Sequence, residues 1–390
     1  MISVEEARDH LMALVAPLEV EHVALAETAG RVLVQPVTAR RNQPPFASSS
    51  MDGYAVKAAE VERHAMFKVI GEAAAGHAFD GKVGAGQAVR IFTGAPVPEG
   101  ADFVVIQEDV SRTGDLITIS DDPGTKDNIR AEGGDFSTGT TIEPPLRLGA
   151  EHVALMAAMN VPQLPVARKP VVALISTGDE LVMPGQTPGP DQIIASNTFG
   201  LKAMLEAEGA HVRILPIARD TVSSLRTAFE LARGADLTIT IGGASVGDHD
   251  LVAPVAEELG MDRAFYKVAM RPGKPLMAGK LHGAAMVGLP GNPVSAMVCG
   301  EIFIKPMIRA MLGLDPGFGA TLSAPLAAPL TPNGPRQHYM RAKVAAEGIT
   351  AFDNQDSAML SVLANANALL IRPPHDGERH AGELVEYLPL

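Results

Sequence analysis

The sequence predicts an α/β multidomain fold: a central doubly wound, mostly parallel sheet domain with a helical stem, an inserted β lobe and a small C-terminal β domain. Three observations carry that prediction. Between residues 170 and 313, short apolar runs alternate with helical stretches, the pattern of a parallel sheet covered by helices on both faces. Between 46 and about 141, short alternating runs bounded by Gly or Pro read as paired strands instead. The 390 residues also exceed a single domain of roughly 100 to 200.

Taken in order, Val4, Ala7, Leu11, Leu14 and Val15 fall on one face of a helix that Ser3 caps, with Glu6 placed for a capping box. A second helical pattern at 150–159 follows Pro144 and Pro145 and is expected to pack on the first, giving a discontinuous stem of 1–45 and 139–169. The inserted lobe, 46–138, shows its alternation at 67–70, 88–92 and 102–106. The α/β domain, 170–316, reads as strands at 171–175, 211–217, 237–241, 265–269 and 284–288, with helices at 197–208, 222–232 and 251–259. A long final helix starts where Asn292 caps and Pro293 takes the first position. A Pro-rich run from Pro316 to Pro335 leads into the C-terminal domain, 317–390, where Val344, Ile349 and Leu369-Leu370-Ile371 look strand-like.

Composition narrows the function. With 46% hydrophobic and 20% charged residues the chain reads as globular, not disordered or coiled coil. Cys299 is the only cysteine, so an intramolecular disulfide and a Cys-rich metal site are excluded, and any sulfur chemistry must come from a ligand. Against 32 basic residues stand 45 acidic ones, a net charge of −13 that disfavours a nucleic-acid partner. No stretch has the roughly 20 apolar residues of a membrane span, and the acidic N-terminal segment is unlike a secretion signal. These features predict a cytoplasmic protein.

In a doubly wound sheet, ligands sit at the carboxyl ends of the strands. Five loops converge on that edge: 176–180, 219–220, 242–250, 271–275 and 289–293. The Gly242-Gly243 pair lets backbone amides close on a phosphate, and Ser245 adds a hydroxyl. Glu180, Asp220, Asp248 and Asp250 are hard oxygen ligands suited to Mg²⁺ bridging a phosphate; any one of them alone reads first as a helix cap or first-turn acid, and it is four on one edge that points to a ligand site. Arg271, Lys274 and Lys267 supply positive charge for an oxyanion within a negative chain, or else are solvated loop charges. His77, His249 and His282 lack mutual ligand spacing, and no P-loop, GxSxG elbow or HExxH motif occurs. The residues by themselves point to metal-assisted handling of a phosphorylated anionic small molecule.

Six ordered motifs extend that reading. Ser49-Ser50-Met51-Asp52-Gly53-Tyr54-Ala55, Thr93-Gly94-Ala95-Pro96-Val97-Pro98, Ser176-Thr177-Gly178-Asp179-Glu180-Leu181, the run from Gly242 to Asp250, Pro272-Gly273-Lys274-Pro275 and Leu289-Pro290-Gly291-Asn292-Pro293-Val294-Ser295 resemble the motifs of the molybdopterin molybdenumtransferase family, MoeA type, related to the gephyrin E domain. The resemblance spans nearly the whole chain. It implies a four-domain subunit with an α/β domain of the molybdopterin-binding type, and a homodimer. It also implies a reaction in which adenylylated molybdopterin and molybdate are the substrates and Mg²⁺ the cofactor: the phosphoanhydride is cleaved, AMP leaves, and molybdenum stays on the dithiolene.

Carried over by motif, the resemblance implies that Glu180, Asp220 and Asp250 serve Mg²⁺ and catalysis, joined by Asp52 and Thr93 from the β lobe of the other subunit and by Asp135, a further acidic position. Ser176, Thr177, Gly178, Asp179, Gly242, Gly243, Ser245, Gly247, Lys274, Pro290, Asn292 and Pro293 would hold the substrate. A molybdate pocket is implied for Arg271, Lys274, Pro275, Ser295, Arg341 and Ser357. The chain departs from the commonest pattern at Arg271, where many members have Lys, at Ala195 in place of a frequent Asp, and at Asp356, whose charge would oppose molybdate if it pointed inward. The upstream adenylyltransferase and downstream cofactor-handling proteins are implied partners. Two other readings are an adenylyltransferase, whose relatives resemble only the α/β domain, and a non-catalytic scaffold, which would not need the acidic set.

Overall fold

The computed structural model describes residues 1–243, 251–318 and 321–390. The predicted site residues Ser245, Gly247 and Asp250, with Asp248 and His249, lie outside the described residues. The chain divides into two compact units, one of Met1–Glu21, Gly30–Val34 and Val166–Leu390, the other of His22–Ala29 and Gln35–Pro165. Among the described residues no helix is long and apolar enough to cross a membrane.

The second unit is built on a six-stranded sheet ordered Phe103–Ile106, Gly53–Val56, Gln87–Ile91, Met66–Ala73, Leu116–Ile119, Val110–Thr113. All neighbours are antiparallel except Met66–Ala73 beside Gln87–Ile91. Successive side chains of a strand point to opposite faces, and Gly53–Val56 uses both: Tyr54 and Val56 enter one apolar cluster with Phe67 and Ile117, while Ala55 enters another with Val89 and Ile91. The helix Ala150–Ala158 also belongs to this unit.

In the first unit, α1 (Val4–Met12) carries the expected capping box: Ser3 Oγ accepts the Glu6 N–H at 3.0 Å and Glu6 accepts the Ser3 N–H at 2.7 Å. Its partner is not the one expected. Val4, Ala7 and Leu11 are buried in one cluster with Phe265, Val268, Met311 and Leu312, so this short apolar stripe completes the core of the α/β domain and does not form half of a two-helix stem. The helix stops at Met12, leaving Leu14 and Val15 beyond its end, and much of the supposed stem is short strand, such as Val37–Thr38 paired with Thr141–Ile142.

The central sheet comprises β1 (Val171–Ser176), β2 (His211–Ile214), β3 (Leu237–Ile241), β4 (Asp262–Tyr266), β5 (Met277–Leu281) and β6 (Ala284–Leu289), in the order β2-β1-β3-β6-β5-β4. β2, β1, β3 and β6 are parallel; β5 runs against both β6 and β4. Helices α2 (Asn197–Ala207), α3 (Val222–Leu231) and α4 (Val252–Glu258) are amphipathic or apolar enough to cover it: Leu201 and Leu205 join one cluster with Leu174 and Ile239, and Leu225 and Phe229 join another with Ala173 and Ile175.

Strand β5 escaped the sequence reading because Gly279 and Lys280 break its apolar run, and β4 lies earlier than the expected 265–269. Pro216 cannot donate to a ladder, and β2 ends at Ile214. The final helix is α5 (Pro293–Cys299), a π-helical turn Gly300–Ile304 and α6 (Lys305–Met311) in succession.

The C-terminal domain adds β7 (Leu322–Pro325), β8 (Gln337–Ala345), β9 (Gly348–Ala351), α7 (Leu360–Asn365), β10 (Ala368–Arg372) and β11 (Leu384–Pro389). Its sheet orders the short strand Met270–Arg271 next to β8, then β10, β11 and β7, with β9 on β8. Arg271 therefore sits opposite His338, and His338 opposite Arg372.

Candidate active site

The parallel strands end together, and their last backbone groups fix the loops that follow. Thr177 N–H donates to the Ile241 carbonyl at 3.0 Å, Gly178 N–H to Ala218 at 3.0 Å, and Gly242 N–H to Leu289 at 3.1 Å, so three loops are sewn to one edge. They border a cavity of about 700 Å³ lined by Ser176, Thr177, Gly178, Glu180, Asp220, Gly242, Gly243, Pro275, Pro290, Asn292 and Pro293. These residues were all expected at a ligand site from their loops, and the fold gathers them into one wall.

Two glycines are required there by geometry. Gly178 has φ +144°, and a Cβ would come 2.3 Å from Glu180 Oε2. Gly242 has φ +95°, and its Cβ would come 2.7 Å from the Thr177 carbonyl. Without side chains, both leave the cavity wall clear while their own N–H groups stay bonded to Ala218 and Leu289.

The acidic loop is held from behind. Arg219 Nη1 donates to the carbonyls of Gly178, Asp179 and Leu181 at 3.4, 2.9 and 3.2 Å. Asp179 N–H points at Asp220 Oδ2 at 3.4 Å and Asp220 N–H at Asp179 Oδ1 at 3.3 Å, a reciprocal link that keeps Asp179 out of the cavity lining. Glu180 and Asp220 are exposed and border the cavity. Among the described residues no group of three or more metal-binding side chains is formed; Glu180 and Asp220 are the two carboxylates that line this cavity, and one or two is the number Mg²⁺ takes from protein when phosphate oxygens complete its shell.

Sequence reading missed part of the lining. Ile193, Ile194, Ser196, Asn197 and Ala358 also border the cavity, beside Leu181, Ala195 and Gly291, which belong to the sequence motifs and departures. Leu181–Val182 pairs in parallel with Ile193–Ile194 to make a flap, and the signal was an apolar pair inside a polar Pro/Gly run. Asn197 Nδ2 donates to the Gly291 carbonyl at 2.7 Å, tying α2 to the loop before α5.

Asn292 occupies the N-cap position of α5 but does not cap it. Its Nδ2 donates to Ser357 Oγ at 2.9 Å, and Val294 N–H donates to the Ser357 carbonyl at 3.0 Å, so a C-terminal loop takes over the helix start. Ser357 thereby stands beside the cavity, whereas Ser295 is buried and Arg271 and Lys274 are exposed outside its lining.

Arg341 is fully buried. One of its nitrogens, Nη2, reaches the Asp356 carbonyl at 3.0 Å, while Nε and Nη1 have no partner among the described residues. Burial, together with the charge of Arg271, lowers its pKa. Such orphaned donors are costly unless an anion reaches them. The Asp356 carboxylate is turned into its own loop, accepting the Ala358 N–H at 2.8 Å, so its charge is engaged by that turn.

In the second unit two motifs meet. Gly94 N–H donates to the Ser49 carbonyl at 2.8 Å and Ser49 N–H to Ala95 at 3.0 Å. Asp52 Oδ1 accepts both the N–H and the Oγ–H of Thr93 at 2.8 Å, and these bonds hold its carboxyl below the usual range. Asp135 is exposed in the same unit, its N–H bonded to the Gln43 carbonyl at 2.9 Å.

Comparison with known proteins gives a consistent picture. Residues 2–160 match the MoeA N-terminal region (domain I and II), 173–310 a probable molybdopterin binding domain, and 323–390 the MoeA C-terminal region (domain IV). A molybdopterin molybdenumtransferase of Haemophilus influenzae is 33% identical across 100% of this chain and 98% of its own. Molybdopterin molybdenumtransferase 2 of Mycobacterium tuberculosis is 37% identical over 93% of both chains. The crystal structure of a molybdopterin biosynthesis MoeA protein from Pyrococcus horikoshii superposes with a TM-score of 0.85 at 28% identity, covering 100% of this chain and 99% of that one.

Proposed function

This chain belongs to the MoeA family of molybdopterin molybdenumtransferases, and from that premise we propose how its residues carry out molybdenum insertion. It is a transferase of molybdenum cofactor biosynthesis. The observation that supports the site assignment is the convergence of Ser176, Thr177, Glu180, Asp220 and the Gly242-Gly243 backbone on one cavity.

In the proposed reaction, adenylylated molybdopterin lies along that edge, with its phosphates on the Gly243 amide and the hydroxyls of Ser176 and Thr177, against the bare backbone of Gly178 and Gly242. Glu180 and Asp220, with Asp250, would hold Mg²⁺, which when bound neutralises the phosphate charge. Arg219 keeps the Glu180 loop in place through three carbonyls. Molybdate is proposed to bind Arg341, Arg271, Lys274, Pro275, Ser295 and Ser357; the orphaned Arg341 nitrogens support an oxyanion there. Holding both substrates at once couples phosphoanhydride cleavage to insertion. The pterin brings the sulfurs, consistent with a buried Cys299 whose thiol pKa is pushed up by burial.

The enzyme is further proposed to be a cytoplasmic homodimer in which Asp52, Thr93 and Asp135 serve substrate held by the second copy. Mixing an Asp52→Ala protein with a Glu180→Gln protein tests this: partial recovery of turnover is expected, and none would remove the shared-site assignment. The primary test is AMP release from adenylylated molybdopterin with Mg²⁺, with and without molybdate, alongside molybdenum bound to the pterin product. Molybdate-dependent release with matching transfer is expected. Tight binding without release would favour a scaffold instead.

A further inference from the structure

One guanidinium of the β lobe is held without a carboxylate. Arg90, on the strand Gln87–Ile91, is half-buried and makes no ion pair among the described residues. Its guanidinium carbon lies 5.0 Å from the centre of the Tyr54 ring, which stands opposite it across the strand pairing, and 4.7 Å from that of Phe92, two residues along the chain. Nη1 donates to the Gly53 carbonyl at 3.1 Å and Nη2 to Gln107 Oε1 at 2.6 Å. Withdrawing a cation from water costs free energy that ring faces and neutral acceptors offset only in part, so the arrangement calls for a reason beyond packing.

Both acceptors lead to Asp52. Gly53 is the next residue, and the N–H of Gln107, at the start of the short turn Gln107–Asp109, donates to the Asp52 carbonyl at 3.0 Å. Arg90 therefore ties down the two consecutive carbonyls that follow the Asp52 Cα, one directly and one through Gln107. The backbone has no slack there, because a Cβ on Gly53 would come 2.0 Å from the Val105 carbonyl oxygen. On the other side, Asp52 Oδ1 accepts both donors of Thr93, the residue after Phe92, while Oδ2 receives no hydrogen bond among the described residues. One guanidinium thus touches both chain segments that meet at the carboxylate. Arg90 is also the charged group that acts on Asp52, favouring its ionised form.

We propose that Arg90 is the positioning residue of Asp52: it fixes the backbone on both sides of the Asp52–Thr93 contact, so that Oδ2 stays open to the substrate. The inference rests on the assignment of Asp52 to the reaction. Arg90 acts only through Asp52, and its effect vanishes where the Asp52 carboxylate is removed.

The test measures AMP release from adenylylated molybdopterin with Mg²⁺ and molybdate, per folded molecule, for the full chain carrying Asp52→Ala, Arg90→Met or both. Asp52→Ala is expected to lose about 10²-fold, the scale of one electrostatic contact in a transition state. Arg90→Met, whose unbranched stem still covers the rings, is expected to lose about tenfold, and the double variant to lie within about twofold of Asp52→Ala alone, because residues that act as a unit are not additive. Arg90→Lys keeps the charge over the rings but cannot hold both acceptors, so it should recover only part of the loss, to about threefold below wild type. A wild-type rate in Arg90→Lys would show that charge alone suffices and overturn the positioning role. If Asp52→Ala is slow while Arg90→Met turns over like wild type, or adds its full factor to the double variant, the Arg90 assignment is wrong and the Asp52 assignment stands. If Asp52→Ala itself turns over like wild type, both fall. Should Arg90→Met fail to fold, the same comparison is made with Arg90→Lys: a threefold loss that disappears beside Asp52→Ala is expected, and one that persists would overturn the proposal.

Discussion

The two edges of the central sheet treat charge in opposite ways. At the amino edge, Asp236 just before β3 accepts Arg168 Nη1 and Nη2 at 2.9 Å each and the Val171 N–H at 2.7 Å, and Arg168 Nε reaches on to Glu19 at 2.9 Å. Burial alone would raise the Asp236 carboxyl, but these hydrogen bonds outweigh it and hold the pKa below its usual range; the same bond raises Arg168. At the carboxyl edge, Asp220 takes only the long Asp179 N–H contact among the described residues, and Glu180 is restrained through the flanking Asp179 and Leu181 carbonyls, which Arg219 holds. A bidentate, nearly saturated pair has nothing left for a ligand and serves stability. Carboxylates on a fixed backbone with open lone pairs are what a cation or phosphate-bound ligand needs.

That contrast can be broken by mutation, and the largest effect belongs to the open edge. Glu180→Gln is expected to lower turnover about 10²- to 10³-fold, the scale of losing one electrostatic contact in a transition state, with an unchanged urea midpoint. Wild-type AMP release in that variant would show the open carboxylate to be idle. At the closed edge the signs reverse: Asp236→Asn should cost about 2 kcal/mol of stability, between the values for exposed and buried ion pairs, with turnover per folded molecule preserved. Because the folded Asp236 pKa is depressed, its contribution is complete above the unfolded value of about 3.9 and fades as pH falls through the lower folded value. Urea unfolding of wild type and variant should therefore differ at pH 7 and converge in strong acid; a constant gap would assign the loss to packing.

Two smaller effects sharpen the picture. Gly178→Ala forces a Cβ against Glu180 at φ +144°, and about 1 to 2 kcal/mol of strain should appear together with a roughly tenfold activity loss as the carboxylate is displaced. Stability lost without activity would mean that Glu180 can move without consequence. Arg219→Ala is expected to raise the Mg²⁺ concentration needed for half activity about threefold, with Arg219→Lys recovering little because one ammonium cannot reach three carbonyls. An unchanged Mg²⁺ dependence would leave Arg219 a purely structural residue.

Much of this site was readable before any coordinates. Loops rich in Gly, Pro, Asp and Ser after apolar runs mark the carboxyl ends of parallel strands, and Ser176 to Gly178, Glu180, Asp220, Gly242-Gly243 and Pro290 to Pro293 were all found that way. The flap was not, since Ile193-Ile194 is too short a run to signal a strand against its Pro/Gly flanks. The capping box of Ser3 and Glu6 was legible because it is local. The partner of that helix was not, because an apolar stripe specifies that something must cover it without specifying what.

By itself, then, the sequence determined the periodicities, the turns and the chemical inventory at each strand end, all of which depend on neighbours a few residues apart. Tertiary structure alone decided that Asn292 would serve Ser357 instead of its own helix, that Asp356 would turn into its loop, and that Arg341 and His338 would be buried with donors unfilled. Those outcomes depend on which distant backbone and charge arrive beside a side chain, and on how much water is left there, quantities that only the packed chain fixes.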